Sequence, residues 1–316
     1  MNHLRSITRH EIPVIAPYRL DLTVSALRRL STNVVDLLTP EGQYVRALSG
    51  YPTPVIVRAT QRGHEHSLSI TIEGEMSGAT EVLGIARRML GTDRDLTGFD
   101  RSAARIPWLA PLVHRMRGVK PPRYPTLWEA CANAIVFQQV SLRAASTIMH
   151  RMIVALGQTV QTDGVPVPLC IFPTPASVQC APDKLLRSAG LSANKVAALR
   201  RVADMLESGA LDETTLDASA STDAAALLRR IKGIGPWTAA LILLRGLGRL
   251  DVFPANDTSV ASNIALVAGS EPFDASTVLH TLGSQRGMLY FYLLLARLEA
   301  RNEIGRASFE RPAPDS

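Results

Sequence analysis

The sequence predicts an α+β domain over residues 1–92, an all-α domain over residues 93–305 and a disordered tail over residues 306–316. Three observations carry that division. Between residues 44 and 73 apolar side chains recur at every second position, the period of strands with one buried face. Beyond Gly91 that period gives way to helical spacing almost throughout. A chain of 316 residues with 46% apolar side chains can fill two cores.

In order along the chain, Leu20, Leu22 and Val24 alternate with polar residues and are expected to form a strand. Val55, Val57 and Ala59 alternate, residues 61–65 turn, and Leu68, Ile70 and Ile72 alternate again, which reads as a hairpin or meander. Residues 79–90 form an amphipathic helix suited to cover the sheet. His64 and His66 bracket Glu65 on the turn without the spacing that puts two ligands on one helix face, so solvated histidines are expected there and no metal site. Residues 115–125 are a basic, proline-rich connector, and Thr126 caps a helix carrying Leu127, Ala130, Ala134, Ile135 and Phe137. After Gln138-Gln139-Val140-Ser141 comes a helix over residues 142–156. Residues 157–175 are rich in Pro, Gly and Thr and are expected on the surface as a loop. Helices follow near residues 175–180, 182–189, 193–208 and 223–232, separated by polar loops, and the proline-rich residues 306–316 are expected to fray.

The formal charge of +6 and a pI near 9.5 fit a polyanionic partner, and the arginines are spread along the chain instead of forming one basic tail. Cys131, Cys170 and Cys180 are too few and too scattered for a disulfide framework, a four-thiolate zinc site or an iron–sulfur cluster, and read as reduced thiols of a cytoplasmic protein. No apolar run follows the opening residues, and the run over residues 288–296 is too short to span a bilayer, so neither secretion nor a membrane partner is expected.

The most informative stretch is Ile231-Lys232-Gly233-Ile234-Gly235-Pro236-Trp237-Thr238-Ala239-Ala240. Residues 223–230 before it are strong helix formers and residues 236–247 make a second apolar helix, so a tight hairpin must join the two. Gly233 and Gly235 supply backbone freedom and the absence of a Cβ, while Pro236 suits the first position of the new helix. The result is a row of bare amides at a positive helix end, which favours an anion such as a phosphate. Asp257 lies directly before a helix that begins near Thr258 or Ser259. It reads either as an N-cap or, because the hairpin's second helix delivers the chain to this turn, as a carboxylate facing the same groove. A carboxylate facing a sugar can stabilise positive charge at the anomeric carbon and orient an attacking water, which is the chemistry of breaking an N-glycosidic bond.

Residues 231–240 together with Phe253-Pro-Ala-Asn-Asp257 resemble the signature of the helix-hairpin-helix DNA glycosylase superfamily. Tyr18-Arg-Leu-Asp-Leu, Asn133-Ala-Ile-Val-Phe-Gln-Gln-Val-Ser141 and Phe172-Pro-Thr-Pro175 extend the likeness to its 3-methyladenine DNA glycosylase II branch. The resemblance implies an N-terminal domain like the TATA-binding protein and an all-α helix-hairpin-helix glycosylase domain. It implies a monomer, associated with the nucleoid through double-stranded DNA containing damaged bases. Asp257 would be the catalytic carboxylate. The duplex would be gripped by Lys232, Gly233, Ile234, Gly235 and Thr238, with Gln139 as the wedge that replaces the flipped base. Lys232 also reads as a solvated residue and Gln139 as an ordinary helix-end glutamine. The base pocket would include Trp237, Leu241, Tyr290 and Leu294. Trp237, otherwise a core aromatic, stands where strand-cutting members place a Schiff-base lysine, so hydrolysis by water without lyase activity is expected. The pocket departs from the family's aromatic pattern at Ala26, Leu241 and Leu294; Tyr290, Phe291 and Tyr292 lie near the last of these and could compensate or pack in the helix core. The resemblance implies no organic cofactor and no catalytic metal, with room for a structural monovalent or alkaline-earth ion on the hairpin carbonyls. Other readings are a glycosylase for oxidised or deaminated bases and a lesion-sensing protein without turnover.

Overall fold

The structure, a computed structural model, describes residues 6–51, 53–63, 66–74, 78–255, 258–269, 271 and 273–308, the side chains of 258–261 excepted. His64, Glu65 and Asp257 lie outside the described residues.

The N-terminal region contains β1 (Ser6–Pro13), α1 (Leu20–Arg28), β2 (Leu37–Leu38), β3 (Tyr44–Leu48), β4 (Val55–Thr60), β5 (Ser67–Gly74) and α2 (Ala79–Leu90). The strands form one antiparallel sheet in the order β1-β5-β4-β3-β2. The meander and α2 lie where the alternation places them. On β5, Leu68, Ile70 and Ile72 are buried and their neighbours are not.

The expected strand at Leu20, Leu22 and Val24 is instead α1. Its residues Leu20, Val24 and Leu27 pack with the sheet, whereas Leu22 and Ala26 pack with the helical region. A helix buried on two sides carries two apolar stripes, and over five residues those stripes imitate alternation. β1 gave no such signal because only Ile12 of its side chains is buried, as suits an edge strand with polar faces.

The helical region runs through α3 (Thr97–Ala103), α4 (Ala110–Arg115), α5 (Leu127–Val136), α6 (Leu142–Leu156), β6 (Thr159–Val160), β7 (Leu169–Cys170), α7 (Pro175–Cys180), α8 (Asp183–Ser188), α9 (Ala193–Glu207), α10 (Glu213–Ala218), α11 (Ser221–Arg229), α12 (Pro236–Ile242), α13 (Thr258–Ala268), α14 (Ala275–Leu282) and α15 (Met288–Glu299). A π-helical turn over Leu243–Leu247 prolongs α12. Thr126 caps α5 by accepting from Glu129 N, as expected. Every residue of α5 is buried, and the helix packs against α9 and α12; it is the axis of the helical core.

Residues 157–175 form the expected surface loop only in part: residues 161–166 are exposed or half-buried, whereas Val160 and residues 169–173 are buried. β6 and β7 pair, and Val160, Val167, Leu169 and Ile171 pack on Leu37, Val45, Ala47 and Ile56. This ribbon covers the second face of the sheet, which is why β3 is buried at every position. Residues 306–308 are likewise held, contrary to the expected tail. Ser308, 1% exposed, donates its N–H to Leu38 O at 2.8 Å, and Arg28 donates to the Arg306 carbonyl oxygen.

A buried ionic cluster joins the two regions. Arg46 on β3 pairs with Asp36 at 2.7 Å and with Glu129 of α5, and the Tyr44 hydroxyl donates to Asp36 at 2.7 Å. Burial, partly offset by Arg46 and reinforced by Asp36, pushes the Glu129 carboxyl up to about 7. Removing one partner would strand a buried charge at a cost of about 3–5 kcal/mol, so the cluster fixes how the sheet sits on α5. No helix among the described residues is long and apolar enough to cross a membrane.

Candidate active site

The hairpin between α11 and α12 is anchored by alternate side chains. Ile231 and Ile234 are buried in the helical core, and Ile234 N donates to Ile231 O at 2.9 Å. Lys232 and Gly233 between them are exposed. The two glycines differ in what they do. Gly233 has φ +104, and a Cβ there would lie 2.7 Å from Ala198 Cβ on α9, so both its conformation and its packing require glycine. Gly235 has an ordinary extended backbone and needs no freedom; what it provides is empty space, with nothing within 4 Å of a Cβ position. Pro236 opens α12 and no side chain caps that helix end, leaving its amides and positive end toward this space. Ile234 and Thr238, expected to grip a duplex, are buried at 4% and 2% exposure.

The second component is the turn between α5 and α6. Gln139 and Val140 project into solvent, and Gln139 takes φ +54, which aims it away from the helical path. The Ser141 hydroxyl closes the turn by accepting from Ala144 N at 3.2 Å. Two residues missed in the sequence hold this turn. Lys195 Nζ donates to Val136 O at 2.8 Å and Gln138 O at 2.9 Å, satisfying carbonyls at the end of α5. Gln138 Nε2 donates to Gly233 O at 2.8 Å and Thr238 Oγ1 at 2.7 Å. The α5–α6 turn and the hairpin are therefore one hydrogen-bonded unit.

Between this unit, α13 and α15 opens a cleft of about 1150 Å³. Gln139, Trp237, Tyr290 and Leu294 line it. Trp237 also packs on the helical core. Leu241 does not line the cleft; at 2% exposure it belongs to the core, as does Ala26. Phe291 and Tyr292 are core residues as well, the latter stacked on Phe99. Ser262 and Asn263 on α13 form part of the wall. Asp257 precedes α13 by one residue in sequence and lies outside the described residues.

The inner wall is charged. Arg29, 3% exposed, lines the cleft with its guanidinium 3.7 Å over the Phe137 ring. Arg245 lies buried behind it, 4.7 Å over Tyr124, and donates to Leu27 O at 3.0 Å. Burial acts to raise the Tyr290 phenol, but Arg29 and Arg245 beside it outweigh burial and bring its pKa below the ordinary value. Among the described residues no three His, Cys, Asp or Glu side chains are arranged to hold a metal ion. Of the hairpin carbonyls, Lys232 O accepts from Arg201 Nη1 at 2.6 Å and Gly233 O from Gln138 Nε2. These two oxygens already have protein donors and are a poor fit for a structural cation.

The hairpin, the α5–α6 turn and the cleft form one continuous surface, and most of it lies in a segment with known relatives. Residues 132–282 match the model of the HhH-GPD superfamily base excision DNA repair proteins. The chain is 28% identical over 166 residues to DNA-3-methyladenine glycosylase 1 of Schizosaccharomyces pombe, covering 52% of this chain and 67% of the relative. It is 26% identical over 187 residues to DNA-3-methyladenine glycosylase of Bacillus subtilis, covering 59% of this chain and 61% of the relative. The aligned part thus spans about two thirds of these relatives' own length. The fold is shared with the solved 3-methyladenine DNA glycosylase from Archaeoglobus fulgidus, with a TM-score of 0.74 at 24% identity, over 92% of this chain and 99% of that one.

Proposed function

We propose that the protein is a monofunctional DNA glycosylase that flips a damaged base, of the alkylated-purine class, out of duplex DNA and hydrolyses its N-glycosidic bond. The observation that carries this reading is the joining of hairpin, wedge turn and cleft by Gln138 into one surface. The amides at the start of α12 hold a phosphate of the damaged strand without reading sequence. Gln139 enters the stack as the nucleotide leaves it. Flipping costs a few kcal/mol, least for a base that pairs badly, so weak pairing contributes to selection. The base enters beside Trp237, and Asp257 stabilises the positive charge that builds on the sugar and orients the water that attacks it.

The positions of the amines support a mechanism without lyase chemistry. The chain's lysines are Lys120, Lys184, Lys195 and Lys232, and none lines the described wall of the cleft. Lys195 is committed to two carbonyls and Lys120 to Arg94 O. Trp237 cannot form an imine, so water is the nucleophile.

Excess protein is incubated with duplexes carrying alkylated purines, and abasic sites are then cleaved with alkali. Strand breaks that require the alkali step are expected, with no covalent adduct on borohydride treatment. Tight lesion binding without base release from any lesion tested would favour a sensor and contradict the enzyme reading; a trapped adduct would contradict the lyase-free mechanism alone.

A further inference from the structure

Arg29 is a costly residue to place where it is. It follows α1 with φ +66, a conformation that disfavours side chains with a Cβ, and its N–H donates to Ser25 O at 3.0 Å. Its guanidinium is buried, permanently charged, and exposed to the cleft only along the inner wall. Asn133 Oδ1 at 3.4 Å is a long hydrogen-bond partner for one of its five donors. A second guanidinium, Arg245, is also buried nearby, and the one carboxylate the proposed mechanism assigns to the site, Asp257, acts at the sugar and not at the base.

Two chemical consequences bear on the base that can enter. The ring of Phe137, one of the aromatic surfaces of the cleft, is already covered by Arg29 at 3.7 Å. That face is therefore engaged as a cation–π partner before any ligand arrives. A purine made cationic by alkylation would meet the charge of Arg29 as well, in a site where water screens poorly. A neutral base with unprotonated ring nitrogens or a ring carbonyl meets donors instead: Arg29 itself, and the Tyr290 hydroxyl. Because guanidinium groups offer no acceptor, the Tyr290 O–H must find one elsewhere.

We propose that Arg29, supported by Tyr290, sets the specificity of the cleft for neutral, acceptor-bearing damaged bases over formally cationic ones. This rests on the glycosylase reading. A neutral base is the harder leaving group, and the same contact assists its departure. As the water oxygen bonds to the anomeric carbon, the C–N bond breaks with its electron pair passing to the base. Arg29 stabilises the negative charge developing on the base's acceptor atom, and a proton from the water ends on the base. A cationic base departs neutral and gains nothing from this contact.

The test compares single-turnover excision by the full chain from two duplexes that differ only in the lesion: 1,N6-ethenoadenine, which is neutral, and 7-methylguanine, which is cationic. Arg29→Leu is expected to shift the ratio of the two rates at least tenfold toward 7-methylguanine. Arg29→Gln, which is shorter and uncharged but keeps an N–H donor, is expected to shift it in the same direction by less. Because each ratio is measured within one preparation, partial misfolding of a variant cancels. A ratio that stays within twofold of wild type in both variants, with both lesions excised, overturns the proposal and leaves the glycosylase reading standing. Excision of neither lesion nor any other base by the wild type overturns both.

Discussion

Gln138→Ala removes the link between the wedge turn and the hairpin. The amide nitrogen donates to Gly233 O at 2.8 Å and to Thr238 Oγ1 at 2.7 Å. Gly233 is exposed, so its carbonyl regains water, but Thr238 is 2% exposed and its hydroxyl loses its partner. A net hydrogen bond contributes about 1 kcal/mol and a stranded buried hydroxyl costs about 1–3 kcal/mol, so the loss is about 2 kcal/mol. At about 1.4 kcal/mol per decade that corresponds to roughly 30-fold in rate if the full coupling is used in the transition state. The assay is single-turnover excision from a lesion duplex, read beside thermal unfolding of the same preparation. Gln179→Ala is the control: it removes a comparable amide bond, Nε2 to Arg200 O at 2.9 Å, away from the cleft. The control is expected to lower stability without changing the rate of the folded protein. If Gln138→Ala excises within twofold of wild type, the two components do not act as a unit and the reasoning fails.

The hairpin glycines separate stability from binding. Gly233→Ala, with φ +104 and a 2.7 Å approach to Ala198, is expected to cost at least about 2 kcal/mol of folding free energy in urea titrations. Gly235→Ala, in open space and extended, is expected to cost no more than about 1 kcal/mol and to weaken binding to any duplex, measured by fluorescence anisotropy. Glu129 gives a pH signature. Its folded pKa is raised, so the native state retains a proton that the unfolded chain has released, and stability falls as pH rises from the ordinary value of 4.5 to about 7. Glu129→Gln is expected to flatten that slope between pH 5 and 7.5, and an unchanged slope would show that another group carries it.

Much of this architecture was legible because helices were marked by local chemistry. Thr126 and Ser141 announce α5 and α6, and Pro236 announces α12. What escaped depends on contacts made across the fold. α1 was misread because it is buried from two sides, and the β6–β7 ribbon was hidden because its four strand residues sit among prolines and glycines. In the site, Trp237 and Tyr290 both line the cleft. Leu241, one turn beyond Trp237, falls on the core side, which linear alignment does not register. Gln138 looked like a mere neighbour of the wedge, and Lys195 and Arg29 are distant in sequence from everything they serve. Nothing in their local sequence reports a partner more than fifty residues away.

The most direct test of the central claim is single-turnover excision from an alkylated-purine duplex by Asp257→Asn, measured together with duplex affinity and borohydride trapping of the wild type. The account predicts base release reduced by at least about 100-fold, the scale of losing one preorganised charge-stabilising group, with binding nearly unchanged and no adduct trapped. Excision by Asp257→Asn at near wild-type rate, or a wild-type covalent adduct, would contradict it.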